Sequence, residues 1–73
     1  MVKEIMIKNM EQAEKINKLA TRAPYDIWVS NSTMMVDARS LLGLLALVGK
    51  KASVVAGDHV DPKSFARLVN KMN

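Results

Sequence analysis

The only histidine of this chain, His59, lies between two carboxylates in the segment Gly57-Asp58-His59-Val60-Asp61. Asp58 and Asp61 could tune this imidazole or help to form a metal site. One imidazole with two carboxylates in a turn is a weak metal signature, however, and a solvated loop histidine explains the same residues. We therefore predict no metal site and no cofactor.

Ser40 is the second candidate, because it directly precedes a leucine-rich segment that begins at Leu41. Serine is a preferred helix N-cap, and a phosphate at such a position would meet the free N–H groups of the first turn. A purely structural cap and a phosphorylated regulatory serine are both consistent with this pattern.

The other serines have no histidine partner at a recognisable spacing; they are Ser30, Ser32, Ser53 and Ser64. The chain also contains no Gly-rich phosphate loop, nucleophile elbow, HExxH or CxxC motif. We therefore predict that it is not an enzyme.

The residues up to Pro24 predict a strand followed by a helix. Ile5 and Ile7 alternate as in a half-buried strand between Val2 and Lys8. Asn9 is a candidate N-cap, with Gln12 completing an Asn-x-x-Gln capping box, and Pro24 ends the helix. The predicted apolar stripe of this helix consists of Met10, Ala13, Ile16, Leu19 and Ala20.

The residues after Pro24 predict a hairpin, a short helix, a strand and a last helix. A turn at Asn31-Ser32 joins strands at 26–30 and 33–36, and Gly49 is expected to end the Ser40-capped helix in a left-handed conformation. A β-branched strand follows from Ala52 to Ala56. Asp61 and Pro62 then start a helix whose buried residues are predicted to be Phe65, Leu68, Val69 and Met72.

The order β-α-β-β-α-β-α predicts one α+β domain, residues 1–73, with three helices on one face of a four-stranded antiparallel sheet. Two segments strengthen this prediction. Asp26-Ile27-Trp28-Val29 resembles the second strand of HPr, the phosphocarrier of the bacterial sugar phosphotransferase system. Val36-Asp37-Ala38-Arg39-Ser40-Leu41-Leu42-Gly43 resembles the HPr segment around its regulatory serine. The resemblance implies an open-faced β-sandwich with the strand order 1-4-2-3.

One HPr feature does not match this chain. In HPr a loop ending in His-Ala-Arg-Pro precedes the first helix, and its histidine accepts phosphate. Here Asn9 runs directly into the helix, and Asn9 and Met10 cannot be phosphorylated on an imidazole nitrogen. The chain is therefore similar to an HPr scaffold without the phosphocarrier site.

The resemblance also implies a regulatory surface. Ser40 matches the serine that a dedicated kinase phosphorylates in Gram-positive relatives. Partner binding would involve Arg39, Leu41, Leu42 and Leu45, although leucines in one sequence could equally be core. The implied partners are phosphotransferase components, an HPr kinase or a transcriptional regulator. The expected function is that of a regulatory or adaptor protein acting by contact.

A second surface supports an alternative function. Trp28 lies on the strand face opposite Ile27 and Val29, and Met6 also lies on a strand. In an open sandwich this face lacks helices, so it could serve as a binding or dimer surface. Edges and loops could also shield it. The alternative is an interaction or oligomerisation module, monomer or homodimer, unrelated to sugar transport.

Composition limits the remaining classes. The net charge is +4, but the basic residues are dispersed and only three aromatic residues are present, so we do not expect nucleic-acid binding. The chain has no cysteine, and its longest apolar run, Leu41 to Val48, is too short to span a bilayer. We expect a cytoplasmic protein that is not bound to a membrane.

Overall fold

A computed structural model describes all 73 residues and shows one antiparallel sheet covered by three helices. The strand order is β1-β4-β2-β3, which is the order that the resemblance implied. The α+β prediction is therefore confirmed. In chain order the elements are β1 (Val2–Ile7), α1 (Met10–Arg22), β2 (Ile27–Ser30), β3 (Met35–Asp37), α2 (Leu41–Leu45), β4 (Lys50–Ala56) and α3 (Pro62–Met72).

The strands bury alternate residues because successive side chains point to opposite faces of a sheet. Ile5 of β1 lies opposite Ala52 of β4, and Val29 of β2 lies opposite Val54 of β4. These residues form one core with the inner stripes of the helices, and no polar side chain is buried in it. The largest fully buried side chains are Phe65, Ile7, Ile16, Ile27, Leu44, Leu47, Met72, Val29 and Val54.

Helix α1 begins where the sequence predicts, but two details of its first turn differ. The Asn9 side chain accepts a hydrogen bond from the backbone N–H of Gln12 at 2.8 Å. The Gln12 side chain does not return the bond to Asn9; its Oε1 accepts from the N–H of Lys8 instead. Met10 is 58% exposed, so its assignment to the buried stripe is wrong, because the core beneath α1 begins one turn later, at Ala13.

Helix α2 has only five residues and is held close to β3. A Cβ atom on Gly43 would lie 2.8 Å from the Cβ of Val36, so the helix approaches the strand to a distance that only glycine permits. The helix ends at Leu45 with Ala46 as its C-cap, so the prediction that Gly49 ends it is wrong. Gly49 closes the turn that follows, and its φ of 84° confirms the predicted left-handed conformation. The strands on either side of α2 also differ from the predicted bounds. Strand β3 starts at Met35, two residues later than predicted, and β4 starts at Lys50, two residues earlier.

No helix of the structure is long and apolar enough to cross a membrane.

We expect Gly43→Ala to lower the free energy of unfolding by about 1–3 kcal/mol, because the new methyl group meets the branched Cβ of Val36 and overpacks the α2–β3 contact. Chemical denaturation measures this change. Gly57→Ala is the matched control. Its methyl group would meet the exposed ring of His59, which can turn away. Equal losses in the two variants would contradict the close α2–β3 contact.

Candidate functional site

Ser40 is the N-cap of α2, and its side chain is accessible. Its Oγ accepts a hydrogen bond from the backbone N–H of Gly43 at 3.3 Å, and its own N–H donates to the carbonyl oxygen of Asp37 at 2.8 Å. The residue is exposed to solvent. The predicted serine is therefore exposed, and the cap hydrogen bond orients its hydroxyl group.

The leucines of α2 divide into a buried set and an exposed set. Leu44 is fully buried, as is Leu47 in the turn after the helix, whereas Leu42 is 83% exposed and Leu41 is 37% exposed. Leu45 is partly buried and packs against the core. The exposed apolar surface beside Ser40 therefore consists mainly of Leu41 and Leu42. We call Ser40, Leu41 and Leu42 the α2 surface.

Arg39, the fourth predicted contact residue, is held by its own chain. Its Nη1 lies 2.9 Å from Oδ1 of Asp26, and its Nη2 donates to the carbonyl oxygen of Tyr25 at 3.4 Å. The side chains are 41% (Arg39) and 62% (Asp26) exposed. Exposed ion pairs contribute about 1 kcal/mol or less. An anionic group on a partner could therefore take the guanidinium from Asp26 at small cost.

Asn17 is a positioning residue that the sequence analysis did not identify. Its Nδ2 donates to the carbonyl oxygen of Ala38 at 3.2 Å and so ties the segment before Ser40 to the middle of α1. Asparagine is a poor residue for a helix interior, because its side chain competes for backbone hydrogen bonds. That unfavourable placement was the available signal for a tertiary contact.

The start of α1 is the position at which HPr carries its phosphoacceptor histidine, and here it has no imidazole. A surface cavity of about 400 Å³ lies at this point. Its lining is almost entirely polar and consists of Met6, Lys8, Asn9, Glu11, Gln12, Lys15 and Asn73. None of these side chains is a nitrogen nucleophile of the histidine type.

His59 lies at the opposite end of the β1–β4 pair and cannot replace that histidine. The pair is antiparallel, so the start of α1 follows the end of β1, near Lys50, whereas His59 follows the far end of β4. At about 3.4 Å per residue, the seven-residue strand β4 separates the two positions by about 20 Å.

The carboxylates near His59 have other contacts. Asp61 is the N-cap of α3, and its Oδ2 accepts from the N–H of Ser64 at 3.0 Å. Asp58 lies 3.5 Å from the amino group of Met1. His59 itself is exposed, and its ring lies over Gly57. The structure thus does not bring these three residues together as a ligand set.

The sheet face without helices, here called the open face, carries an apolar row across three strands. Val2 lies opposite Val55, and Val55 lies opposite Trp28 on its other side. Trp28 is half-buried, Val2 is 62% exposed and Met6 is 38% exposed. The predicted placement of Trp28 and Met6 on this face agrees with the register, and the row ends at Asp37, which pairs with Trp28.

We expect Leu42→Lys to change the free energy of unfolding by less than about 0.5 kcal/mol, as is usual for exposed positions. Leu44 lies on the buried side of α2, and Leu44→Ala should lower the free energy of unfolding by about 2–5 kcal/mol. Urea denaturation of both variants tests the division of α2 into two sides. A large loss for Leu42→Lys would show that this side chain is part of the core.

No protein-family model and no curated protein matches the sequence. Solved structures do match. An HPr crystal structure from Thermoanaerobacter tengcongensis superposes with a TM-score of 0.75 at 22% identity, covering 99% of this chain and 90% of that one. The phosphocarrier protein HPr from Bacillus anthracis superposes with a TM-score of 0.74 at 16% identity, covering 100% of this chain and 96% of that one. At these identities the comparison establishes the architecture: this chain has the HPr fold.

Proposed function

We propose that this chain is a cytoplasmic regulatory or adaptor protein of the phosphotransferase type, which acts by protein contact and does not carry phosphate on histidine. The observation that supports the proposal is the exposed Leu42 next to the exposed N-cap Ser40, in a chain whose α1 starts without an imidazole. The two HPr structures match nearly the whole chain, so the fold that supports this surface is common to all three proteins.

Leu42 is suited to be the centre of that contact. An exposed leucine gains about 1.5–3 kcal/mol when a partner buries it, and its 83% exposure leaves nearly all of that gain available. Leu41 lies beside it, and Arg39 adds a cation whose present ion pair with Asp26 is weak. A partner with an apolar pocket and a nearby carboxylate would complement these groups. The proposed partner classes are phosphotransferase components, an HPr kinase and a transcriptional regulator.

Phosphorylation of Ser40 would change this surface from apolar to anionic. A phosphate adds a charge of about −1.5 to −2 next to Leu41 and Leu42. The Gly43 N–H already points at the Ser40 oxygen, and the Arg39 guanidinium is on the adjacent residue, so both a donor and a cation are close along the chain. The modified surface would favour a basic partner, whereas the unmodified surface favours an apolar one.

An HPr kinase with ATP should add one phosphate to the wild-type chain and none to Ser40→Ala. Intact-mass spectrometry measures the 1:1 product. Ser64→Ala is the matched control, because Ser64 also lies at the start of a helix, and it should be modified like wild type. Equal incorporation in Ser40→Ala would refute the switch. If the phosphotransferase transferred phosphate from phosphoenolpyruvate to the chain, the proposal that it does not act as a histidine phosphocarrier would be refuted.

The open face supports a second candidate, an interaction or oligomerisation module unrelated to sugar transport. The apolar row of Val2, Val55 and Trp28 is continuous across β1, β4 and β2. At about 4.8 Å between strands, the four-stranded sheet is only about 19 Å wide, so the face buries less than a standard interface and self-association through it would be weak.

Sedimentation equilibrium of wild type and Val55→Lys separates this candidate from the first. If the open face associates, the lysine at the centre of the row should abolish the dimer and expose Trp28 further to acrylamide quenching. Leu42→Lys, on the other face, should leave association unchanged. A wild-type chain that stays monomeric at millimolar concentration would exclude the open face as a dimer surface.

A further inference from the structure

Strand β1 lies at an edge of the sheet, and its outer side has no neighbouring strand. In the β1–β4 pair, the N–H of Ala56 donates to the carbonyl oxygen of Met1, and the N–H of Gly49 donates to that of Ile7. Odd-numbered residues of β1 therefore direct their main-chain groups toward β4. Because direction alternates along a strand, the groups of Val2, Glu4, Met6 and Lys8 point to the free edge.

The side-chain amide of Gln12 occupies two of these edge groups. Its Nε2 donates to the carbonyl oxygen of Met6 at 2.8 Å, and its Oε1 accepts from the N–H of Lys8 at 2.8 Å. An added strand would use the same two groups. The amide is also tied down on its other side, since Nε2 donates to the carbonyl oxygen of Met72 at 3.1 Å. Gln12 thus links β1 to the end of α3 and closes the edge at 6–8.

We propose that the free edge of β1 is a latent pairing surface for a second copy of this chain and that Gln12 keeps it closed. With Gln12 in place, only Val2 and Glu4 keep both of their main-chain groups free on this edge, since Met6 has lost its carbonyl oxygen and Lys8 its N–H to the amide. Two residues are too few for a stable added strand, because strands in proteins usually have three residues or more. Without the amide, the open edge extends over 2–8.

Charge complementarity selects the second copy as the occupant and also selects its register. If two β1 strands pair antiparallel about Met6, Glu4 of each copy lies opposite Lys8 of the other, and the two Met6 residues meet at the centre. Opposite charges placed across a strand pair are stabilising, and like charges are destabilising. This register needs the edge groups of Met6 and Lys8, the two that Gln12 occupies.

The register left partly open by Gln12 is unfavourable. Pairing about Glu4 would place two Glu4 carboxylates opposite each other, and it would still require the edge groups of Met6. Exposed strand edges that can pair are a common route to unwanted association, and proteins block them with side chains or covering segments. In this chain the group that bonds to the edge is the side-chain amide of Gln12, a residue whose backbone N–H is held by the Asn9 cap.

Gln12→Met tests the proposal, because methionine has a similar shape and helix propensity but no amide group. We expect a dimer whose dissociation constant, measured by sedimentation equilibrium, is at least about tenfold below that of the wild type, the equivalent of one or two strand hydrogen bonds. Gln12→Ala is the second variant, in case methionine packs poorly. Circular dichroism checks that both fold.

Two charge variants identify the interface. Gln12→Met with Lys8→Glu, and Gln12→Met with Glu4→Lys, should each return to the wild-type dissociation constant, because each places like charges opposite each other. An equimolar mixture of the two should associate again. Dimerisation that persists in both, with no gain on mixing, would assign the contact to another surface and overturn the proposal.

Hydrogen exchange at Lys8 gives an independent reading. In dilute Gln12→Met the Lys8 amide should exchange faster than in wild type, and it should regain protection as concentration rises and the edges pair. Fast exchange at every concentration, with a chain that remains monomeric, would show that Gln12 covers an edge with no tendency to pair and would overturn the proposal. Failure here leaves the Ser40 function untouched, since the two rest on different residues.

Discussion

The antiparallel pairing of β1 with β4 is the interaction on which the rest of the structure depends. It joins the segments 2–7 and 50–56, which are separated in sequence by two helices and a hairpin. This pairing makes β4 a central strand, bonded to β1 on one side and to β2 on the other. It also determines where each candidate group lies: the start of α1 at one end of the pair, His59 at the other, and the edge of β1 free.

The helices bury one face of this sheet, and their caps determine what remains accessible. Asn9, Ser40 and Asp61 each accept a hydrogen bond from an N–H three residues later. Two of these caps have only a structural role in our interpretation. Ser40 differs, because α2 ends after five residues and its exposed leucines lie directly beside the cap. The N-cap of a short helix therefore places an exposed hydroxyl group beside exposed apolar side chains, the arrangement on which the proposed function rests.

Sequence reasoning succeeded where short-range chemistry decides the outcome. The three caps, the left-handed Gly49 and the alternation of Ile5 with Ile7 all depend on neighbours within four residues, and the structure shows each of them. It failed for Met10, which continues the apolar stripe of α1 but lies beyond the point where other elements cover that stripe. The Asn9–Gln12 box was half right, because the Gln12 amide found main-chain partners on β1 and α3 that no local pattern could indicate.

The sequence by itself determined the element types, the helix starts and the chemistry on offer: one serine at a cap, one histidine in a turn, and no imidazole before α1. Local hydrogen bonding and side-chain periodicity are sufficient for those conclusions. The tertiary structure alone decided that Leu42 is exposed while Leu44 is buried, that Asn17 holds the segment before Ser40, and that His59 is remote from α1. These outcomes depend on which surfaces the sheet order brings together, and that order comes from contacts between residues distant in sequence.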